Sequence, residues 1–481
     1  MHKTNILKPV LWIPVILAAI IPSGCVTVGP DYIRPEVSIS DNWHTQLKDG
    51  LTSEEMDQQM LVAWWTTLND PKLSGLIGQA VAGNLDLKKA KARVREARAR
   101  RGVTKADLFP TLDATGQASR SRGSEATGIA MTSDLYSVGF DAGWELDIFG
   151  GVRRSVEAAE ANLEASREDW RNVLVSLLAE VALNYIDVRT YQTRLTVAEA
   201  NLKTQIETCQ LTLWRYQAGL SDELAVQQAR YNLENTRSQI PTLRTGLEEA
   251  MNRIAVLLGE QPGKIHGELE KQEPIPVIPL KIAVGVPADA LRRRPDVRKA
   301  ERDLATQTAK VGVATADLYP KFKLSGSIGL AALSTGDLLS ADSKTYSFGP
   351  SVTWTIFNGG AIRQNIEVQS ALQEQYLIAY EAAVLNALEE VEDALAAFAE
   401  EQKRRQALLD ATGAAKQAGE LAKNKYQAGL TDFSSVLDAE RSLRSFEDSL
   451  AQSEGAVTSN LVRLYKALGG GWRAVNESKT E

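Results

Sequence analysis

A five-residue segment occurs twice in this chain. Residues 216–220 read Tyr-Gln-Ala-Gly-Leu, and residues 426–430 repeat them at a shift of 210 positions (426 − 216 = 210). The same shift, without a gap, relates Leu108-Phe109-Pro110 to Leu318-Tyr319-Pro320, Tyr136 to Tyr346, Trp144 to Trp354, Asp222 to Asp432 and Gly259 to Gly469. A fixed long period predicts a duplicated structural unit that buries its apolar surface against neighbouring units.

The composition favours a packed structure, with 44% hydrophobic and 24% charged residues over 481 positions. A net charge of −7 without a long basic run gives little support to nucleic-acid binding. The three histidines, His2, His44 and His266, are scattered and lack metal-ligand spacing. We find no nucleophile motif and no phosphate-binding glycine loop. We therefore expect no enzyme activity, no metal and no cofactor.

The first 24 residues are similar to a lipoprotein signal peptide that ends before Cys25. They have a basic start, an apolar run over 10–21 that is too short to span a membrane, and the small pair Ser23-Gly24. Pro22 departs from that pattern, which usually has an aliphatic residue there. Acylation of Cys25 would anchor the mature chain in outer-membrane lipid. The alternative is an ordinary secretory signal with an incidental cysteine.

Each repeat is predicted to contain a helix, two strands, a long helix, a tight turn and a second long helix. The expected segments are a signal peptide at 1–24, an extended arm at 25–72, a first repeat at 73–258, a proline-rich connector at 259–287, a second repeat at 288–468 and a tail at 469–481. The predicted strands are 111–121, 135–148, 321–332 and 345–357, and the predicted long helices are 152–216, 221–258, 361–426 and 432–468. The longest of these helices would extend for about 100 Å at 1.5 Å per residue.

Apolar and polar residues alternate along the predicted strands, which indicates one apolar and one polar face. Four acids fall on the polar face: Asp113, Asp141, Glu145 and Asp147. Four strands per chain cannot close a barrel, and lipid does not tolerate an open sheet edge. Two copies would supply eight strands and a filled interior, and three would supply twelve and an aqueous pore. The alternatives are a soluble β-sandwich and, for the acids, a merely solvated face.

Several motifs resemble one known family when their order and spacing are taken together. They are Cys25 followed by Val28-Gly29-Pro30-Asp31-Tyr32 and Pro35, Trp64-Trp65 with Asp70-Pro71, Leu291-Arg292-Arg293-Arg294-Pro295-Asp296-Val297-Arg298, and both Gly-Leu turns. The chain resembles the TolC-type outer-membrane efflux family, in its OprM- and NodT-like lipoprotein branch. The resemblance implies an α+β fold: a homotrimeric channel whose twelve-stranded transmembrane β-barrel, four strands per chain, continues into a long periplasmic α-helical barrel. It implies a lipid-anchored protein that spans the cell outer membrane and has a large periplasmic part.

The resemblance also implies a function, the passive exit duct of a tripartite efflux system for small toxic compounds. An inner-membrane pump of the resistance-nodulation-division (RND) class would drive export through a periplasmic adaptor. The adaptor would contact the tip turns at Gly219, Leu220, Gly429 and Leu430. An outer component of a type I-like peptide or protein secretion system would use the same duct. A third hypothesis, a structural periplasmic coiled-coil lipoprotein, does not account for the alternating strands.

In the family, acidic side chains hold the periplasmic tip closed. Matching by the Gly-Leu turn places one family acid on Asp438 and the other on Ser435, so that Asp432 is the candidate replacement. Thr431 stands where some members have a basic latch residue. We expect Asp432 and Asp438 to form the periplasmic gate; the alternative is that both favour the macrodipole of the helix that they begin. The acidic polar face of the strands predicts a mild preference for cations.

Overall fold

The computed structural model describes residues 27–37, 39–48, 50–54, 57–128, 131–276 and 281–472. The predicted signal peptide, Cys25 and residues 473–481 of the predicted tail lie outside the described residues. The strands are β1 (Leu51–Thr52), β2 (Thr111–Arg122), β3 (Thr132–Leu146), β4 (Ile282–Ala283), β5 (Lys321–Ala332) and β6 (Lys344–Thr353). The α-helices are α1 (Gln58–Val62), α2 (Pro71–Gly83), α3 (Leu85–Ala106), α4 (Gly151–Gln217), α5 (Glu223–Leu258), α6 (His266–Leu269), α7 (Pro287–Arg293), α8 (Pro295–Ala316), α9 (Ala361–Gln427) and α10 (Phe433–Ala467).

The chain forms two compact units. The first contains the described parts of Met1–Glu36, Val94–Ser166 and Ala300–Tyr380, and the second contains those of Val37–Arg93, Arg167–Lys299 and Glu381–Glu481. Four of the six strands in the described part of the chain belong to the first unit, and the main hydrophobic cluster belongs to the second.

The first unit contains an antiparallel sheet in the order β2-β3-β5-β6. The two hairpins have the same register at the shift of 210, because Asp113 lies opposite Asp141 and Lys323 lies opposite Ser351. Between the hairpins, β3 pairs with β5, with Phe140 opposite Ile328. The duplication read from the sequence is therefore present in the strand pairing.

Alternation along the four strands gives the sheet two chemically different faces. The apolar face carries Leu112, Val138, Phe140, Trp144, Leu324, Ile328, Tyr346, Phe348 and Val352, all of them exposed. The polar face carries Asp113, Thr115, Gln117, Ser137, Asp141, Glu145, Lys323, Ser325, Ser327, Ser347 and Ser351. Large exposed apolar surfaces on a folded chain indicate a contact with lipid or with another protein.

Two strands end earlier than the alternation predicted. β3 ends at Leu146 rather than 148, and β6 ends at Thr353 rather than 357. The indole N–H of Trp144 donates a hydrogen bond to the carbonyl of Leu108, and that of Trp354 donates to Leu318, both at 3.0 Å. These equivalent bonds hold the start of each first strand beside the end of each second strand.

The second unit is built around a helical core. Trp64 is 1% exposed and stacks on Tyr465, with ring centroids 5.6 Å apart. On α2 the side chains of Leu76, Ile77 and Ala80 are buried, and Leu76 and Ala80 have no exposed surface. The amide of Gly471 donates to the carbonyl of Leu61 at 3.1 Å, so the start of the predicted tail packs on this core.

The first repeat has a break inside the helix that its sequence predicts from about residue 73 to 106, and the second repeat has the equivalent break just before the helix predicted from Asp296 to Ala316. Asn84 separates α2 from α3, and its side chain accepts from the amide of Leu87 and donates to the carbonyl of Leu257. Arg294, 210 positions later, separates α7 from α8 and donates to the carbonyl of Ala467. The acceptor carbonyls are also 210 apart (467 − 257 = 210). A polar side chain at each break therefore fixes the end of α5 or α10.

The predicted arm and connector contain short elements. The arm was expected to be extended, yet it contains α1 and a 3-10 helix at Trp64–Leu68. The connector contains α6 and β4, and β4 pairs in parallel with β1, with Leu51 opposite Ile282. No helix within the described ranges has the length and hydropathy needed to cross a lipid bilayer.

Candidate functional site

The two Gly-Leu turns have the same backbone geometry. Gly219 has φ +69° and Gly429 has φ +73°, in the left-handed region that favours glycine. The amide of Leu220 donates to the carbonyl of Arg215 at 2.8 Å, and the amide of Leu430 donates to that of Lys425 at 2.9 Å. Such bonds close the end of a helix in the Schellman motif, and they explain why α4 and α9 end at these glycines.

One apolar cluster joins both turns. The ring of Tyr426 lies 5.2 Å from that of Phe433, and the guanidinium of Arg215 lies 4.4 Å above the Tyr426 ring. The other buried members of the cluster are Ala225, Ala229, Val436 and Leu437. The turns therefore form one tip, on which Leu220 is 67% and Leu430 is 76% exposed.

The two predicted gate acids lie close to this tip. Asp432 is the N-cap residue of α10 without a side-chain capping bond, whereas its counterpart Asp222 accepts from the amide of Ala225 at 2.9 Å. Asp438 is 73% exposed and lies 3.4 Å from Arg441 on the same helix. The Asp438 carboxylate is therefore open to solvent, apart from its contact with Arg441.

A third acid near the tip was not predicted. Glu440 lies on the buried side of α10, where it accepts from the Thr208 hydroxyl at 3.1 Å. Burial raises the pKa of the Glu440 carboxyl above its ordinary value, against the lowering effects of Thr208, Arg444 and Lys423. The sequence carried a signal for it, since Glu440 falls three and four positions after Leu437 and Val436 on the apolar stripe of α10.

The four acids predicted on the polar face of the strands lie in different surroundings. Asp113 and Asp141 are direct cross-strand neighbours, and the hydroxyl of Thr115 donates to Asp141 at 2.9 Å. Glu145 lies opposite Lys323, with 3.9 Å between the ammonium nitrogen and the carboxylate. Negative charge is therefore unbalanced in the row of Asp113 and Asp141, and balanced in the row of Glu145.

The predicted strand position of Asp147 is wrong. The residue follows the end of β3, where its carboxylate accepts from the amides of Val152 at 3.0 Å and Arg153 at 2.9 Å. The Arg153 side chain also lies 3.1 Å from it. Asp147 therefore satisfies the free amides at the start of α4.

A buried arginine fixes the extended arm on the first unit. Arg154 is 3% exposed, and its guanidinium donates to the carbonyls of Val28 and Gly29 and to the carboxylate of Asp31. Gly29 has φ +87°, and a Cβ there would lie 2.4 Å from the Cα of Gly312. A glycine is therefore required at position 29 by a close crossing of two backbones.

Among the residues that the structure describes, no group of three or more His, Cys, Asp or Glu side chains is placed to hold a metal ion. Cys209 is free and packs beside the tip cluster.

The sequence profile of the outer membrane efflux protein family matches residues 76–260 and 286–470. The two matched segments are related by the same shift, since 286 − 76 = 210 and 470 − 260 = 210. This chain belongs to the outer membrane efflux protein family. The resemblance suggested by the sequence motifs is thereby confirmed.

Relatives match over nearly the whole chain. Nodulation protein T of Rhizobium leguminosarum bv. trifolii is 33% identical over 459 residues, which cover 94% of this chain and 96% of that protein. Solvent efflux pump outer membrane protein SrpC of Pseudomonas putida is 32% identical over 460 residues, which cover 95% of this chain and 97% of that protein. The solved structure of the outer-membrane channel OprN matches with a TM-score of 0.87 and 37% identity, and the match covers 93% of this chain and 100% of the OprN chain. The fold is that of the outer-membrane efflux channels, and the protein is an outer-membrane efflux channel.

Proposed function

We propose that this protein is the passive exit duct of a tripartite efflux system, coupled to an inner-membrane RND-type pump through a periplasmic adaptor. The observation that carries the proposal is the β2-β3-β5-β6 sheet, which has one exposed apolar face and one polar face in a chain of the efflux family. A polar face that lines a tube and an apolar face that meets lipid are the two surfaces that a transmembrane duct needs. Three copies would supply the twelve strands of a barrel with an aqueous interior.

The experiment is conductance measurement. Purified protein in planar bilayers should show channels of uniform conductance, and detergent extracts of outer membrane should contain trimers that heat dissociates. A monodisperse, water-soluble monomer without conductance would refute the duct.

The tip turns are the proposed contact for the adaptor. Exposed Leu220 and Leu430 on one cluster offer apolar contacts at equivalent positions. Cells that carry Gly219→Ala together with Gly429→Ala should lose export of a fluorescent dye, measured per amount of protein present in the outer membrane. Unchanged dye export at unchanged abundance would argue against contact through the turns.

The acids Asp432 and Asp438 are proposed to restrict the resting pore at the periplasmic tip. Asp432 has no side-chain capping bond and Asp438 is exposed, and both lie next to the tip turns, which supports this role. Asp432→Asn with Asp438→Asn should raise the open probability in planar bilayers relative to Glu234→Gln, an exposed acid on α5. Equal open probabilities would leave the two residues as helix N-terminal acids only.

A cation preference of the lumen is proposed to arise from Asp113 and Asp141. Their row continues through Ser327 and Ser347 and contains no basic residue among the described strands of the chain. Asp141→Asn should shift the reversal potential towards neutral selectivity more than Glu145→Gln, because Lys323 already offsets Glu145. Anion selectivity that neither substitution changes would refute this assignment.

Acylation of Cys25 is proposed to add a lipid anchor. Thr27, the first described residue after Cys25, packs against Gly150 at the end of the hairpin of β2 and β3. Incorporation of labelled palmitate that Cys25→Ser abolishes would support the anchor, and labelling retained in that variant would exclude it.

A further inference from the structure

A cavity of about 650 Å³ in the first unit is lined by side chains of α3, α4, α8 and α9, and we call it the helix groove. The two repeats contribute equivalent basic residues to its wall. Arg100 of α3 and Lys310 of α8 both line it, and they are 210 positions apart (310 − 100 = 210). A cavity of this size is large enough for a drug-sized molecule.

The helix groove lies on the side of the helices that continues the polar face of the sheet. Asp317 in its wall pairs at 2.9 Å with Lys321, which belongs to the polar face of β5. The extended arm packs on the other side of α8, where Tyr32 donates to Glu301 at 3.2 Å. Glu301 and Lys310 are nine residues apart, which places them on opposite sides of a helix at 100° per residue. If the polar face lines the duct, the groove therefore opens into the lumen.

The basic side chains of the groove are available to a ligand. Lys310 is exposed and forms no ion pair within the described part of the chain. Arg100 is exposed and pairs at 2.8 Å with Glu96, one helical turn before it. An exposed pair of this kind is weak, so an incoming anion can displace Glu96. Asp317, the one acid among the described residues that line the groove, is already paired with Lys321.

The rest of the wall combines a hydrogen-bond donor with apolar surface. The amide oxygen of Gln369 accepts from Gln307 at 2.8 Å, which leaves the Gln369 amino group as a donor. Ala158, Ala159 and Ala314 add methyl groups. Two cations, an amide donor and methyl groups suit a molecule that has an anionic head and an apolar body.

The acids of the sheet do not prevent an anion from reaching this groove. The lumen wall would change sign along the duct, from Asp113 and Asp141 on the strands to Arg100 and Lys310 on the helices. At physiological ionic strength an exposed charge acts over about 8 Å. In a wide aqueous tube, an anion can therefore pass the acids at a distance where salt screens them.

We propose that the helix groove binds amphiphilic organic anions. A carboxylate, sulfate or sulfonate group would lie between Arg100 and Lys310, and the apolar body would lie on the alanine methyl groups. This site deepens the proposed duct and rests on it, since it gives one class of exported compound a place on the lumen wall.

Equilibrium dialysis with naphthalene-2-sulfonate tests the site. The full-length protein in lipid nanodiscs should bind this compound saturably, with empty nanodiscs as the blank. Arg100→Gln together with Lys310→Gln should raise the dissociation constant at least about tenfold, because both charged donors are lost. The matched control is Arg98→Gln. Arg98 is also exposed on α3 but lies about 160° around the helix from Arg100, so the dissociation constant should change less than about twofold.

A gain of affinity separates the site from a loss of folding. Glu96→Gln releases Arg100 from its ion pair, so the dissociation constant should fall by about twofold. Naphthalene-2-methanol has the same ring system without the charge and should bind the unsubstituted protein at least about tenfold more weakly.

Three results would overturn the groove. They are equal binding by the double variant and Arg98→Gln, equal binding of the charged and neutral naphthalenes, and no saturable binding of the sulfonate. Conductance in planar bilayers separates the two proposals. Channels from unsubstituted protein that does not bind the sulfonate reject the groove and keep the duct, whereas the absence of channels rejects the duct.

Discussion

Arg189 connects α4 to the connector inside the second unit. Its guanidinium is 1% exposed and donates to the carbonyl of Lys271 at 2.8 Å and to Glu273 at 2.7 Å. It also donates to the hydroxyl of Tyr185, which in turn donates to Asp70, the N-cap of α2. Side chains from three separate segments therefore depend on one cation.

We predict that Arg189→Met destabilises the second unit by about 3 kcal/mol, since a carbonyl and a carboxylate lose a buried charged donor. The matched control on the same helix is Arg194→Met, whose ion pair with Asp448 is partly exposed and should contribute less than about 1 kcal/mol. Thermal loss of helical circular dichroism in detergent measures both. Equal shifts in midpoint for the two variants would show that Arg189 has no special structural role.

Glu440 gives the second unit a pH-dependent stability. Burial raises the pKa of this carboxyl in the folded state above its ordinary value of 4.5. Between 4.5 and the raised pKa, the folded state binds more protons than the unfolded state, so stability falls as pH rises through this window. Above the window the cost of burying the charge is present in full.

We predict that Glu440→Gln raises the unfolding midpoint near pH 7–8 and that the gain disappears below about pH 4.5. The amide keeps an oxygen for the Thr208 hydroxyl and carries no charge. Glu234→Gln, an exposed acid on α5, is the control and should change little at any pH. Circular dichroism melts across about pH 4–8 measure the difference, and a gain that persists at about pH 4 would contradict the burial argument.

At the scale of elements, the long helices depend on the glycines that end them. A Cβ at Gly219 or Gly429 would meet nothing within 4 Å, so alanine there costs backbone strain without a clash. Each left-handed alanine should cost about 1–2 kcal/mol. Gly413, inside α9 and also without a neighbour within 4 Å, is the contrasting site, where alanine should stabilise by about 0.5–1 kcal/mol. Opposite signs in thermal midpoint are expected, and a midpoint for Gly219→Ala at or above the unsubstituted value would contradict the assigned strain.

The bounds of the strands and helices could be predicted from sequence periodicity where local sequence alone fixes them. β5 covers the residues whose alternation predicted it, and α4 and α9 extend between the glycine pairs and the Gly-Leu turns. The break at Asn84 was not predicted, because its side chain bonds to a carbonyl 173 positions away. The end of β6 was missed because alternation continues through Ile356 while the pairing strand does not.

The candidate site likewise has features that could be predicted from the sequence and contacts that could not. The tip turns could be read from the repeat, since a glycine after a long helix has a local meaning. The buried side of Glu440, the Arg154 contacts to the arm and the neutralisation of Glu145 by Lys323 depend on residues brought together by folding. Their residue types were visible in the sequence, but their partners were not.

At the scale of the whole molecule, the two faces of the sheet meet different solvents if the duct is correct, and adjacent residues of β5 can test this. Ile328 is 66% exposed on the apolar face, and Ser327 lies on the polar face beside Asp141. A lysine on a lipid-facing strand costs about 2–4 kcal/mol near the bilayer midplane, whereas one in an aqueous lumen costs little.

We predict that Ile328→Lys sharply reduces heat-dissociable trimers in the outer membrane, while Ser327→Lys assembles normally and lowers cation selectivity. Membrane fractionation followed by gels of unheated samples measures assembly. Both variants add the same charge to the same strand, so they differ only in whether that charge enters lipid or water. Normal assembly of Ile328→Lys, or failed assembly of Ser327→Lys alone, would therefore contradict the assignment of the apolar face to lipid.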